Sequence, residues 1–465
     1  MNRGESHLMK NLQSVKIAYI GGGSKSWARS LMNDLALESR ISGTVALYDL
    51  NYEAAAQNAK IGNRISQLDD AKSDWKYEAV KTMEEALVES DFVIISILPG
   101  SFEEMASDVH TPEKYGIYQS VGDTVGPGGH VRALRTIPMY VEIAESIKKH
   151  APNAWVINYT NPMSLCTRTL YEVFPDIKAF GCCHEVFETQ HLLGEVVKEY
   201  FNEEVEKRSD IKVNVLGINH FTWINQASYK NIDLMPYYKQ FAEKYAETGF
   251  EKEEGKWKNN VFSSCQRVKF DLFKKYGLIA AAGDRHLAEF MPPVYLKDPK
   301  TVASWKFHLT TVDFRKEDLK KKMSENQALI EETKQLEVKA SGEEGVKIIQ
   351  ALLGLAEFVT NVNFPNKGQI EGLPLGSIVE TNAVFRRDSV QPVFAGKLPL
   401  DIHNMVHRHV LNQESILQAA LTKDKTLALN TFINEPVLAI DRTEAEALFE
   451  EMLQNTKHYL PGWAI

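Results

Sequence analysis

The heptapeptide FGCCHEV, residues 180–186, places two cysteines, a histidine and a glutamate side by side after a short apolar segment. Cys182 and Cys183 would point to opposite faces of an extended segment, so at most one of them faces a given site. A structural zinc site usually needs four ligands with C-x-x-C spacing, which this stretch lacks. One thiolate could instead join a distant imidazole, with His220 of GINHFTW as the candidate, to hold a divalent metal open to substrate. The alternative for each residue taken singly is burial in the core.

A glycine-rich turn follows the apolar stretch VKIAYI and consists of Gly21, Gly22, Gly23 and Ser24. Such a turn lets a pyrophosphate approach the N-terminus of the following helix. Asp49 ends the next apolar stretch, where a carboxylate accepts hydrogen bonds from an adenosine ribose, although its distance from Gly21 exceeds the usual spacing of about 20 residues. Ser26 stands where a third glycine is expected. The pattern predicts dinucleotide binding, with an ordinary turn as the alternative.

Three further places could carry chemistry. Asp123 lies in a long glycine-rich loop, residues 119–138, that could fold over a ligand. Asp284 of GDRH could act on a substrate or simply cap a helix. His403 and His407 have the spacing of helix-borne metal ligands, but no third ligand is evident, which favours a solvated helix face.

The elements that must position these residues alternate between strand and helix over the first third of the chain. This alternation predicts a parallel sheet covered by helices, with ligands beyond the carboxyl ends of the strands. The segments GGGS, SILPG, TNP and CCHE, together with Asp49, all fall at predicted strand ends. After about residue 195 the alternation stops. KVNVLGINHFTWI reads as a strand, residues 235–360 as largely helical, VKIIQALLGLAEFV as a helix, and the last 65 residues as two or three more helices.

Composition narrows the class of protein. The chain has 465 residues, 44% of them hydrophobic, and a net charge of −9, which argues against a nucleic-acid surface. Four cysteines in so long a chain indicate reduced thiols and a cytoplasmic protein. The apolar run FVIISIL is too short to span a membrane. The start, residues 1–14, lacks the apolar core of a signal peptide and is interpreted as a disordered tail.

Several of these motifs together resemble the family-4 glycoside hydrolases. The matching stretches are, in order, IGGGS, ILPG, QSVGDTVGPGGHVRALRTIP, NYTNPM, GCCHEV and GINHF, with a weaker match at PLGSIVETNAVF. The resemblance implies NAD and a divalent metal, commonly Mn²⁺, as cofactors, and a homodimer or homotetramer. It implies an α/β fold of lactate/malate dehydrogenase-like architecture, with a Rossmann-like NAD-binding domain at residues 15–195 and a mixed α+β domain at residues 196–465.

The resemblance also implies roles for particular residues. The implied roles are metal ligands for Cys183 and His220, proton donor for His184, substrate contacts for Asn161 and Asp123, and the base that removes a sugar proton for Asp284. It implies oxidation at sugar C3 by NAD⁺, removal of the C2 proton, elimination of the leaving group, addition of water and the reverse steps. This family is an exception to the usual glycosidase mechanism with two carboxylates.

The sequence C-H-E-V is similar to that of bacterial α-galacturonidases, which predicts a uronide substrate. Its carboxylate needs a cation, and Arg285, His286, Arg386 and Arg387 are candidates from charge and position alone. An α-glucosidase or α-glucuronidase of the same family is the alternative substrate assignment. Two alternative functions belong to other classes of protein. One is an NAD-dependent hydroxy-acid dehydrogenase, which would release NADH with product, and the other is a non-catalytic dinucleotide sensor.

Overall fold

The computed structural model describes residues 13–465, and within that range the strands form one thirteen-stranded sheet. The first six strands are β1 Gln13–Ile20, β2 Ile41–Tyr48, β3 Trp75–Val80, β4 Phe92–Ile95, β5 Trp155–Asn158 and β6 Lys178–Gly181. They pair in parallel in the order β6-β5-β4-β1-β2-β3. The predicted parallel sheet of Rossmann type is therefore confirmed. The prediction about residues 1–14 falls almost wholly outside the described residues.

Seven helices accompany these strands. They are α1 Trp27–Ala36, α2 Tyr52–Ile65, α3 Met83–Leu87, α4 Phe102–His110, α5 Gly126–His150, α6 Met163–Val173 and α7 Glu185–Phe201. The expected loop at residues 119–138 is helical from Gly126 onward, with Pro127 in the first turn of α5. Gly128 and Gly129 explain the difference, because an added Cβ would lie within 2.5 Å of neighbouring atoms, so the helix packs directly on the preceding loop. Of this stretch, only residues 119–125 remain as a loop.

The second half extends the same sheet with antiparallel strands. They are β7 Ile211–Ile218, β8 Phe221–Tyr229, β9 Ile232–Asp233, β10 Ile279–Ala280, β11 Phe358–Pro365, β12 Ile378–Arg386 and β13 Ser389–Pro392. β11 pairs with β6 and with β12, and β12 pairs with β7. The sheet is thus continuous past residue 195, and the predicted domain boundary at that point stays a prediction.

Ten more helices pack around these strands. They are α8 Met235–Tyr245, α9 Lys256–Asn259, α10 Arg267–Tyr276, α11 Asp284–Glu289, α12 Pro299–Ser304, α13 Val312–Ile330, α14 Gly345–Leu352, α15 Leu400–Thr422, α16 Lys425–Ile433 and α17 Arg442–Thr456. The predicted helix VKIIQALLGLAEFV ends early, because Gly354 takes φ +79° and the chain turns into β11. Helices α15, α16 and α17 agree with the prediction of two or three helices in the last 65 residues. No helix within residues 13–465 is long and apolar enough to cross a membrane.

Candidate active site

The carboxyl ends of β1, β4, β5 and β6 meet along one edge of the sheet. The glycine loop follows β1, Asn161 lies just beyond β5, and Cys183 lies just beyond β6. Parallel pairing brings these distant parts of the chain together. Beside them opens a cleft of about 450 Å³, within the range of small-molecule sites. Its lining includes Glu185, Lys269, Asp284, Arg285 and His286.

The glycine loop is held against the ends of the neighbouring strands. Gly21 has φ +90°, and a Cβ there would lie 2.0 Å from the backbone oxygen of Ser96. The N–H of Gly23 donates to Asp49 Oδ2 at 2.9 Å, and a Cβ on Gly23 would meet the same oxygen at 2.8 Å. Asn51 N–H donates to Asp49 Oδ1 at 2.8 Å. The glycines are therefore required for close approach, and Asp49 anchors the loop at the end of β2.

The same edge carries features that suit an adenosine. Ser24 begins the turn into α1, where its hydroxyl accepts the Trp27 N–H at 3.2 Å. Leu50 and Leu98 follow β2 and β4, the strands on either side of β1, and are 96% and 47% exposed. Large apolar side chains this exposed beside a glycine loop would be covered by a flat apolar ring.

Asp123, His220 and His286 form a compact group in which one ligand atom from each lies within 4.8 Å of the others. The rings of His220 and His286 stack with centroids 3.7 Å apart. Burial, with His286 beside it, lowers the pKa of His220 to about 3, so this imidazole is neutral. Burial opposes ionisation of Asp123, but surrounding positive charges, those of His286 and Arg132 first among them, hold its pKa below the ordinary value. A neutral imidazole beside a carboxylate is a donor set that binds divalent cations.

His220 owes its position to a tight turn between β7 and β8. It takes φ +63°, a left-handed conformation that non-glycine residues seldom adopt and that often marks functional sites. Its Nδ1 lies 2.9 Å from Thr124 Oγ1 in the loop before α5, which orients the ring. The preceding Asn219 is buried, and within residues 13–465 neither of its amide atoms has a hydrogen-bond partner of ordinary geometry. Two unpaired amide atoms next to a strained histidine indicate a site that a ligand completes.

Cys183 faces this region but does not join the group of three. Burial, reinforced by the carboxylates of Glu380 and Glu185, raises the pKa of its thiol well above the ordinary value. Only a strong positive charge would keep this sulfur as a thiolate. Cys182, by contrast, packs against the hydrophobic core on the other side of the strand. This agrees with the expectation that adjacent side chains point to opposite faces.

Asn161 links the substrate edge to the loop before α5. Its Nδ2 lies 3.4 Å from Asp123 Oδ2, and its Oδ1 is buried without a partner. Arg132 Nε donates to the Asn161 backbone oxygen at 3.1 Å. The structure therefore brings Asn161 and Asp123 together, with one amide oxygen left to accept from a ligand.

His184 is the N-cap residue of α7 and is half-exposed at the cleft. Its Nδ1 lies 3.4 Å from the Glu343 carboxylate, and its ring lies 6.1 Å from that of Trp27 near the glycine loop. The contact with Glu343 raises the pKa of His184 to about 9, against the opposing effect of burial. A protonated imidazole at the mouth of the cleft can donate a proton to a leaving group.

Sequence comparison decides the family. Residues 16–199 match the family 4 glycosyl hydrolases, and residues 215–438 match the C-terminal domain of the same family. The chain belongs to glycoside hydrolase family 4. Membership makes the protein a glycosidase, as the resemblance predicted.

Individual relatives agree with the family assignment. An α-galacturonidase from Thermoanaerobacterium saccharolyticum is 60% identical over 98% of both chains. The solved structure of lplD from Bacillus subtilis is 57% identical, covers 95% of this chain and 100% of its own, and has a TM-score of 0.91. A 6-phospho-α-glucosidase from gut microorganisms, solved with NAD and Mn²⁺, has a TM-score of 0.79 at 18% identity over 97% of this chain and 100% of its own. That last likeness shows the shared fold.

Asp284, the base that the family-4 resemblance implies, lies apart from the group of three. It is fully buried at the start of α11, and its Oδ1 accepts the Lys269 N–H at 3.1 Å. His286 is two residues further along the helix and so projects to a different side. Burial raises the pKa of Asp284 to about 6, against the opposing effect of Lys269. Its role stays a prediction.

The sequence does not predict two residues of this family-4 site, Glu185 and His286, as members of the metal edge. Glu185 lies 3.5 Å from His286 Nε2 and accepts the Gly283 N–H at 2.7 Å. Burial opposes its ionisation, but nearby histidines, His286 first, lower its pKa to about 2. From the sequence, His286 is a candidate only as a cation that binds the substrate carboxylate. The signal for Glu185 was present, because it stands in FGCCHEV beside the proposed ligand and donor.

The other sequence candidates lie elsewhere. Arg386 is exposed and pairs with Glu357 at 2.6 Å, and Arg387 packs over Gly354. Neither is among the residues that line the cleft. His403 and His407 stack at 5.6 Å on α15, but within residues 13–465 they belong to no group of three potential metal ligands. Of the four proposed carboxylate partners, only Arg285 and His286 are at the cleft.

Proposed function

We propose that this family-4 enzyme hydrolyses α-galacturonides, using NAD⁺ and a divalent metal, with Mn²⁺ as the first candidate. The observation that carries the substrate is the 60% identity, over 98% of both chains, with the α-galacturonidase of Thermoanaerobacterium saccharolyticum. The C-H-E-V sequence that distinguishes this branch places Glu185 at the cleft, 3.5 Å from His286. The identity favours a uronide over a neutral or phosphorylated sugar, and the Glu185 contact orients His286.

The residues present fit the cofactors. The glycine loop, whose Gly21 and Gly23 admit no Cβ, would hold the pyrophosphate of NAD⁺, with Asp49 at the ribose. Cys183 and His220 would hold the metal at the edge where Asn161 keeps an unpaired oxygen. When bound, NAD⁺ accepts a hydride from sugar C3 and the metal acts as a Lewis acid. Cys183, whose thiol stays protonated in these surroundings, needs such a cation to become a ligand.

The remaining chemistry belongs to the side chains of the chain itself. His184, kept protonated by Glu343, donates its proton to the oxygen of the leaving group. Asp284 takes the C2 proton, and Glu185 holds His286 in place. Asn161 and Asp123 bind sugar hydroxyls. Among the residues that line the cleft, Lys269, Asp284, Arg285 and His286 are buried.

The test of this function uses 4-nitrophenyl α-D-galacturonide with NAD⁺, Mn²⁺ and a thiol reductant. We expect hydrolysis with no net NADH, and product formed in D₂O should carry deuterium at C2. Accumulation of NADH in step with product would favour a hydroxy-acid dehydrogenase instead. A larger kcat/KM for the matching α-glucoside or α-galactoside would refute the uronide assignment.

The Glu343→Gln variant should show a changed pH dependence. Glu343 raises the pKa of His184 to about 9, so His184 is protonated below that pH and the donor is lost as pH rises through it. Without the carboxylate the pKa falls, and kcat/KM should decline at lower pH than in the wild type. The effect should be large for methyl α-galacturonide, whose leaving group needs a proton, and small for the 4-nitrophenyl glycoside, which serves as internal control. Superimposable pH profiles for both enzymes would contradict this role.

A further inference from the structure

Three arginines from separate parts of the chain lie near Asp123, and one of them, Arg285, lines the cleft. Arg132 lies on α5, Arg285 on α11 and Arg315 on α13. Among the described residues, no carboxylate oxygen lies within 4.0 Å of any of these three guanidinium groups. The Nε atoms of Arg285 and Arg315 are buried without a hydrogen-bond partner. A buried guanidinium nitrogen without a partner among the described residues favours the approach of an anion.

A structural arginine in the same protein looks different. Arg135 is fully buried, and its guanidinium forms a two-pronged pair with Asp108, in which Nη1 donates to Oδ1 at 2.9 Å. Its Nε donates to the Pro99 backbone oxygen at 3.0 Å. This fold therefore satisfies a buried arginine completely where the role is structural. Arg285 and Arg315 lack this arrangement.

Contacts around Phe262 and Thr310 hold Arg285 next to the start of α13. Arg285 donates to Thr310 Oγ1, two residues before α13 begins. Its guanidinium lies over the Phe262 ring at 5.1 Å, and the same ring packs edge-on to Phe314 at 5.6 Å. Arg315 follows Phe314 directly. Burial lowers the pKa of Arg285, and the positive charge of Arg315 lowers it further. The two like charges therefore repel each other.

We infer that Arg285 and Arg315 together bind the C6 carboxylate of the sugar and thereby select a uronide. This inference rests on the proposed function. A carboxylate presents two oxygens that match the forked N–H groups of a guanidinium, and it would relieve both the unpaired Nε atoms and the mutual repulsion. His286, the residue after Arg285, turns toward His220 instead. Arg285 and His286 would therefore contact opposite sides of the sugar, because C6 lies across the pyranose ring from C2 and C3.

Arg132 is assigned a different role. Its Nε already donates to the backbone of Asn161, and it lies close enough to Asp123 to favour ionisation of that carboxylate. It therefore supports the metal edge of the cleft. Arg285 on α11 and Arg315 on α13 would select the carboxylate.

The test compares sugars that differ only at C6. Binding of D-galacturonate and of D-galactose to enzyme loaded with NAD⁺ and Mn²⁺ is measured by calorimetry for Arg285→Met, Arg315→Met and Arg315→Lys. A matched control is Arg442→Met on α17, where the arginine is 67% exposed and pairs with Glu446. Affinity for D-galacturonate should fall about 30-fold or more in both methionine variants, and less in Arg315→Lys. Affinity for D-galactose should change less than about threefold, as should both affinities in the control.

Further measurements separate the possible failures. Thermal unfolding and NAD⁺ affinity show whether each variant is folded, and kcat/KM on the 4-nitrophenyl galacturonide and galactoside repeats the comparison in turnover. If the wild type does not prefer D-galacturonate, the proposed substrate is wrong and this inference falls with it. If the wild type has the preference and folded Arg285→Met and Arg315→Met variants retain it, the α-galacturonidase proposal stands and the role of these two arginines is refuted.

Discussion

Replacing Cys183 with alanine should remove the bound divalent metal and lower kcat/KM for an α-galacturonide by at least about 10³-fold. A Lewis-acid metal stabilises developing charge by several kcal/mol, and each 1.36 kcal/mol, roughly, is a factor of ten in rate. Cys183 follows the end of β6, and its thiol lies near Asn219 and Glu185, whereas its neighbour Cys182 packs against the core. Metal content by mass spectrometry, NAD⁺ binding and kcat/KM would be measured together.

Cys182→Ala is the matched control, because it removes an adjacent sulfur that points the other way. This variant should keep its metal and lose less than about threefold in activity, since a small apolar replacement is tolerated at a partly buried site. His220→Ala should behave like Cys183→Ala. If Cys183→Ala keeps its metal while His220→Ala, Asp123→Asn and His286→Ala lose it, the group of three is the ligand set and Cys183 is not a ligand.

The parallel half of the fold was predictable because its signals are local. Most strands of this half are short apolar runs followed by turn residues or a helix, as in VKIAYI before GGGS. The exception is β3, WKYEAV, which alternates polar and apolar residues and is not predicted by the apolar pattern. The antiparallel half depends on distant pairing. Asn363 of β11 pairs with Gly181 of β6, and Glu380 of β12 pairs with Gly217 of β7. Nothing in the local pattern of β11 specifies those partners.

The hairpin at His220 shows the same limit at a smaller scale. KVNVLGINHFTWI reads as one strand, yet the chain reverses between β7 and β8 at Asn219 and His220. Asparagine and histidine tolerate positive φ better than most residues, but they mark a turn far less clearly than Asn-Gly does. The turn is what points His220 toward Thr124 and His286.

The sequence predicts which motifs belong to the site, but it does not predict how the site residues are arranged in space. FGCCHEV and GINHF located Cys183 and His220 through resemblance, whereas Glu185 and His286 became partners only once α7 and α11 were placed. Arg315 carries no motif at all. It lies in the charged helix α13, where sequence alone cannot distinguish a fully solvated arginine from one with a buried Nε.

Asp284→Asn should lower kcat by about 10²–10⁴-fold while leaving affinity for NAD⁺ and Mn²⁺ nearly unchanged. A general base works best when its pKa lies near the working pH, and burial raises that of Asp284 to about 6. Asparagine keeps the oxygen that accepts the Lys269 N–H, so the start of α11 should stay intact. Measurements of kcat and of deuterium incorporated at C2 in D₂O would report the loss of the proton transfer.

Comparison with Glu185→Gln shows which of the two carboxylates, Asp284 or Glu185, acts as the base. Glu185 lies 3.5 Å from His286, so its loss should disturb metal binding as well as turnover. Asp284 stands apart from that group, so a base at this position should affect turnover alone. A loss below about fivefold in Asp284→Asn, with C2 exchange retained, would show that Asp284 is not the base. Glu185 would then be the next carboxylate to test, although its pKa of about 2 makes it a weaker base than Asp284.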